Sequence, residues 1–155
     1  MVQHLLNFDE NNSKIFSDCV ISQPDTTLNL WATDPIASRI LETVLTSESV
    51  HQKTKRKLVK LFSGKFSLLA SDKYGSHFVD KCFANSTIQE KELICAELAD
   101  KLSSLVGNFH AKFILRNCGV ELFKRRKDQW LAHQTKGQVK DSKNMDEIDL
   151  LFNKK

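Results

Sequence analysis

Residues 30–45 read LWATDPIASRILETVL, and residues 68–83 read LLASDKYGSHFVDKCF. The two stretches align without a gap at an offset of 38 residues. Leu30 meets Leu68, Ala32 meets Ala70, Asp34 meets Asp72, Ser38 meets Ser76 and Glu42 meets Asp80. Apolar and acidic positions keep one register, which marks an internal repeat. A period near 38 falls in the range of helical solenoids, where each unit buries its apolar face only by stacking on the next. A third, weaker copy, FHAKFILRNC, runs over 109–118. There Phe113 and Ile114 take the places of Phe78 and Val79 at an offset of 35.

Each copy reads as a helix for local reasons. Asp34 is a good N-cap residue and Pro35 behind it suits the first helical position; Asp72 can cap the second copy in the same way. On an ideal wheel with Ser38 at zero, Ile36, Ile40, Leu41, Val44 and Leu45 fall between about 160° and 340°. Ser38, Glu42 and Arg39 fall at about 0°, 40° and 100°. The second copy predicts a core face of Tyr74, Phe78, Val79, Cys82 and Phe83, with Ser76, His77 and Asp80 opposite. Amphipathic stretches at 51–63 and 88–105 supply a longer helix after each copy, ended by Gly64 and Gly107. A unit therefore reads as a short helix, a middle helix with a Ser-x-x-x-acid face, and a longer third helix.

Outward from the repeat, residues 1–23 hold one helix, about 13–22, which reads as the last helix of a preceding unit. Residues 24–134 form the array. A basic helical run from Phe123 to about Gln134 closes it. Residues 135–155 are expected to be a flexible polar tail carrying a short acidic-apolar tag, Asp146 to Phe152. The fold class is all-α: an α-α superhelix of about three three-helix repeats.

Composition agrees. Of 155 residues 41% are hydrophobic, enough for a core, while only 5 Gly and 2 Pro are too few turn formers for a many-stranded β fold. The net charge of +4 permits a polyanionic partner without demanding one. Cysteines 19, 82, 95 and 118 form no C-x-x-C pair and have no histidine at zinc-ligand spacing, so they read as buried reduced thiols. No run of about 18 apolar residues and no signal-peptide pattern occurs, so a soluble intracellular protein is expected. No Gly-rich phosphate loop, G-x-S-x-G or Cys/His dyad is present. No catalytic residue, metal, cofactor, membrane or small-molecule substrate is expected.

A solenoid sets the middle helices side by side on its inner wall. Ser38, Arg39 and Glu42 would project there together with Ser76, His77 and Asp80. Such a wall can read splayed single-stranded bases. The first and fifth residues reach the base edge, and the second stacks. Ser with Glu suits guanine, whose ring N–H and amine can donate to a carboxylate. The run Lys53, Lys55, Arg56, Lys57, Lys60 and the cluster Lys124–Lys127 read either as solvated helix surface or as phosphate contacts. Trp31 and Trp130 are expected to pack between helices. The competing reading is a protein-interaction scaffold, since acidic residues on an inner wall would also suit a basic peptide. A cationic series at the second position, Arg39, His77 and Lys112, favours nucleic acid.

IASRILETVL and YGSHFVDKCF resemble the base-contacting helices of Pumilio-family RNA-binding repeats. Residues 106–134, VGNFHAKFILRNCGVELFKRRKDQWLAHQ, are similar to the closing repeat of the nucleolar branch of that family. The resemblance covers about residues 28–134. It implies a Pumilio/armadillo-like solenoid that binds single-stranded RNA, the precursor of small-subunit ribosomal RNA, in the nucleolus of the nucleus. It also implies pre-ribosomal proteins as further partners, and a chain that is the carboxy-terminal part of a longer array. Carried over by position, the base-facing triplets are Ser38/Arg39/Glu42, Ser76/His77/Asp80 and Ala111/Lys112/Leu115. The third departs from the pattern, because Ala111 and Leu115 cannot hydrogen-bond a base; Lys112 and Arg116 are then expected on phosphates.

Overall fold

The computed structural model describes residues 10–136. Helix α1 spans Glu10–Ile21. Unit one follows as α2 (Asp25–Thr33), α3 (Ala37–Thr46) and α4 (Gln52–Leu61). Unit two is α5 (Phe66–Ala70), α6 (Lys73–Ala84) and α7 (Ile88–Asp100). Unit three is α8 (Leu102–Leu105), α9 (Phe109–Cys118) and α10 (Val120–Arg125), followed by a last helix over 127–136, here α11. No strand occurs among the described residues.

The middle helices form one row, α3 against α6 and α6 against α9. Helix α1 packs on α4, and α2 packs on both α3 and α6. The core runs unbroken along the row, from Leu28, Leu41 and Leu45 through Phe62, Phe78 and Val79 to Ile94, Leu98 and Trp130. Phe62 and Phe78 meet edge to face across the unit boundary, with ring centroids 4.6 Å apart.

Polar contacts fix the junctions. Both carboxylate oxygens of Glu97, on α7, are used at the turn from unit one to unit two. The Gly64 amide donates to Oε2 at 2.9 Å and the Phe66 amide donates to Oε1 at 2.7 Å. Gly64 itself has φ +86°, the left-handed conformation that glycine adopts without strain. Between units two and three, Asn108 Nδ2 donates to the Ser71 carbonyl at 3.3 Å. Within unit two, Gly75 is obligatory for space, because a Cβ there would stand 2.6 Å from the Leu69 carbonyl oxygen.

Three expectations need correction. Gly107 does not end a third helix: α7 stops at Asp100, and Gly107 joins α8 to α9. The basic run 123–134 is not one helix but two, broken at Arg126, whose φ −144° and ψ 75° are non-helical. The break swings Trp130 back onto the array, where its indole Nε1 donates to the Cys118 carbonyl at 2.7 Å. Trp130 is 1% exposed, packed against Phe123 and Phe83, while Trp31 is half-buried. Finally, Ile36 was expected in the core and is 76% exposed. It lies at the edge of the wheel's apolar arc, and the buried stripe is centred instead on Leu41, Val44 and Leu45. The tag at 146–152 lies outside the described residues.

Candidate nucleic-acid interface

Three caps set the register of the row. Asp34 Oδ1 accepts from the amides of Ile36 and Ala37, both at 2.8 Å. Asp72 Oδ1 accepts from Tyr74 at 2.9 Å and Gly75 at 2.8 Å. Asn108 Oδ1 accepts from His110 at 2.9 Å and Ala111 at 3.0 Å. Each residue satisfies the amides two and three positions ahead, which would otherwise lack partners. Those backbone hydrogen bonds, from Ala37 first and then Ile36, hold the Asp34 carboxyl below its ordinary range.

Caps at 34, 72 and 108 give offsets of 38 and 36, not 38 and 35. The third helix is therefore one residue out of the register that sequence similarity suggests. Burial agrees with the caps. At an offset of 36, buried Val79 and Cys82 match buried Leu115 and Cys118, and exposed Lys81 matches exposed Asn117. At 35, fully buried Phe78 would match Phe113, which is 50% exposed. The third triplet is thus Lys112/Phe113/Arg116. Ala111 and Leu115 belong to the core, 0% and 7% exposed.

The corrected register aligns Arg39, His77 and Phe113, all exposed on successive helices. Each offers a planar face. Lys112 and Arg116 are exposed beside Phe113, and the Arg116 guanidinium lies 5.9 Å from its ring centroid. Phe109, 71% exposed, meets Phe113 edge to face at 5.7 Å.

Ser38 and Ser76 do not stand free on this wall. They are 2% and 6% exposed, and Ser76 Oγ donates to its own helix at the Lys73 carbonyl, 3.0 Å away. On the wheel the serine neighbours Leu45, or Phe83 in the second copy, at the border of the buried stripe. A small side chain able to pair with its own helix is packed under at that border. Glu42 and Asp80 lie at the opposite border and are half-buried. Asp80 Oδ1 accepts from Asn117 Nδ2 of the next middle helix at 3.3 Å. Burial drives the thiols of Cys82 and Cys118 well above the ordinary range; Glu42 adds to this at Cys82, and Cys95 and then Asp80 add to it at Cys118. Each acid therefore faces the seam between its own middle helix and the following one.

The flanking basic groups divide. On α4, Lys53, Lys57 and Lys60 are exposed, and Arg56 Nε lies 3.9 Å from Glu90. At the far end Lys127 is 3.8 Å from Glu92 and 5.5 Å from the Phe123 ring centroid, so one member of that cluster serves packing. Cys19 is exposed and the other three thiols are buried. Among the described residues no cluster of metal-binding side chains occurs, and no helix is long and apolar enough to cross a membrane.

Sequence reasoning missed Phe113, Phe109 and Asn117. The signal that finds them is Asn108, an N-cap residue type two positions before the run HAKF.

A family model described as the NOP9-like PUF repeat domain matches residues 1–113. Nucleolar protein 9 of Aspergillus fumigatus is 35% identical over 125 residues, which is 79% of this chain and 18% of that protein. Nucleolar protein 9 of Homo sapiens is 28% identical over 134 residues, 86% of this chain and 21% of that protein. The chain thus spans about a fifth of the length of these curated relatives. Among solved structures, APUM23-GGAGUUGACGG superposes with a TM-score of 0.78 at 26% identity, over 86% of this chain and 25% of that one. A Puf4 mutant bound to the Cox17 RNA 3′ UTR recognition sequence superposes with a TM-score of 0.58 at 15% identity, a likeness of fold. It covers 88% of this chain and 45% of that one. The repeat, its caps and these matches agree: the chain belongs to the NOP9-like PUF repeat family.

Proposed function

We propose that the row α3–α6–α9 binds single-stranded RNA, with Arg39, His77 and Phe113 stacking between successive bases. The observation that carries this reading is the alignment of three exposed planar side chains on three identically capped helices. Every base has a π-face, so such a series accepts a strand of unpaired nucleotides. Glu42 and Asp80 read base edges, guanine best, since a carboxylate accepts from the ring N–H and the exocyclic amine together. Ser38 and Ser76 form the floor beside them. In unit three Arg116 replaces the acid, and with Lys112 it serves phosphate oxygens or the acceptor edge of guanine. The molecule is a binding module and not an enzyme.

The nucleolar name of the relatives, and the uracils in the GGAGUUGACGG string of the APUM23 structure, support a place in the nucleolus on ribosomal precursor RNA. Pre-ribosomal proteins would then be neighbours in the same particle. A titration of fluorescently labelled single-stranded RNA at graded salt tests the reading. Arg39→Ala, His77→Ala and Phe113→Ala should each weaken binding by roughly 1–3 kcal/mol. Log affinity should fall with log salt at about −0.7 per phosphate neutralised. Affinity that ignores all three substitutions refutes the reading, and binding of a basic peptide in place of RNA would make the array a protein scaffold.

A further inference from the structure

On the outer side of unit three the fold leaves a groove of about 590 Å³. Its apolar lining comes from Val106, Leu115 and Leu122, and Val106 is 46% exposed. Lys112, Arg116 and Arg125 stand around it, with one acid, Glu121. None of the three cations is in an ion pair among the described residues. An open apolar floor ringed by unpaired positive charge suits a short segment that alternates acids with aliphatic side chains.

The chain carries such a segment. Residues 146–152 read DEIDLLF, with acids at 146, 147 and 149 and apolar residues at 148 and 150–152. Its reach is sufficient. Gly119, a wall of the groove, touches the Trp130 ring, and helix α11 carries the chain on to Lys136, about 9 Å beyond Trp130. The nine residues 137–145 then span up to roughly 30 Å.

We propose that Asp146–Phe152 folds back onto this groove and covers the outer side of unit three. Its apolar side chains lie over Val106, Leu115 and Leu122, and its carboxylates face Lys112, Arg116 and Arg125. The segment does for unit three what a following unit does for units one and two. The tether makes the contact intramolecular, so a modest intrinsic affinity suffices.

The test is paramagnetic relaxation in the full chain. A spin label at Asn153→Cys in a Cys19→Ser background is selective, because Cys19 is exposed and the other three cysteines are buried. The methyl signals of Val106 and Leu122 should lose most of their intensity. Those of Leu30 and Leu68, exposed leucines elsewhere on the array, should keep theirs. Adding Ile148→Ser/Leu151→Ser should restore the groove signals. The proposal is overturned if the groove methyls behave like Leu30 and Leu68, if the broadening survives the double serine variant, or if it vanishes on dilution, which would assign it to a second copy of the chain.

Discussion

Units one and two are near copies, whereas unit three keeps their backbone and changes their chemistry. All three middle helices start from a side-chain oxygen that takes the amides two and three residues ahead. All three expose a planar residue five positions after the cap. At the eighth position, however, units one and two carry Glu42 and Asp80, and unit three carries Arg116. The third helix of the unit also differs. The single helices α4 and α7 give way in unit three to α10 and α11, broken at Arg126 and pinned by Trp130. Backbone geometry and face chemistry are thus separable: the cap sets where residues point, and the residues set what they grip.

Removing the pin should break the comparison most severely. Trp130→Ala deletes a fully buried ring and its hydrogen bond to the Cys118 carbonyl, and should cost about 3–5 kcal/mol. Thermal unfolding followed by residue-resolved hydrogen exchange should show unit three opening before units one and two. Uniform loss across the array would mean that the units are not separable in stability.

A second substitution tests the shared backbone. Three residues after the cap stand Ala37, Gly75 and Ala111. Only at Gly75 would a Cβ collide with backbone, that of Leu69. Gly75→Ala should therefore destabilise by about 1–3 kcal/mol, although the other two units carry alanine at that place. Denaturant titration checks it, and a neutral result would mean that α5 yields freely.

The caps give the smaller effects. Asn108→Ala should cost roughly 0.5–2 kcal/mol of unfolding free energy, read by the same titration. Asp34 and Asn108 should also part company in acid. The folded carboxyl of Asp34 titrates below its ordinary value of 3.8, so its capping contribution is present above that pH. It is lost as pH falls through the lower folded value. Amide exchange at Ile36 and Ala37 should speed up there relative to His110 and Ala111, whose cap carries no titratable proton.

Much of this arrangement was readable in the residues. The 38-residue offset, the caps Asp34 and Asp72, the exposed Arg39 and His77, and the packing of Trp130 follow from local chemistry. Two features did not. Phe113 resembles Phe78 as a letter, yet one ring faces solvent and the other the core, because unit three is two residues shorter than its predecessor and not three. Ser38 sits at the border of the wheel, where a few tens of degrees decide between wall and seam. A polar residue type could not decide it; the neighbouring helix did.

The Glu97 clamp bears on how such arrays can be rebuilt. A carboxylate from the last helix of unit two holds the amides where unit one ends, so the sequence boundary near Lys65 is not a mechanical boundary. Grafting unit one onto a foreign neighbour would strand two amides and loosen the pitch that spaces adjacent nucleotides. A recombination point that keeps Gly64, Phe66 and Glu97 together would preserve that spacing.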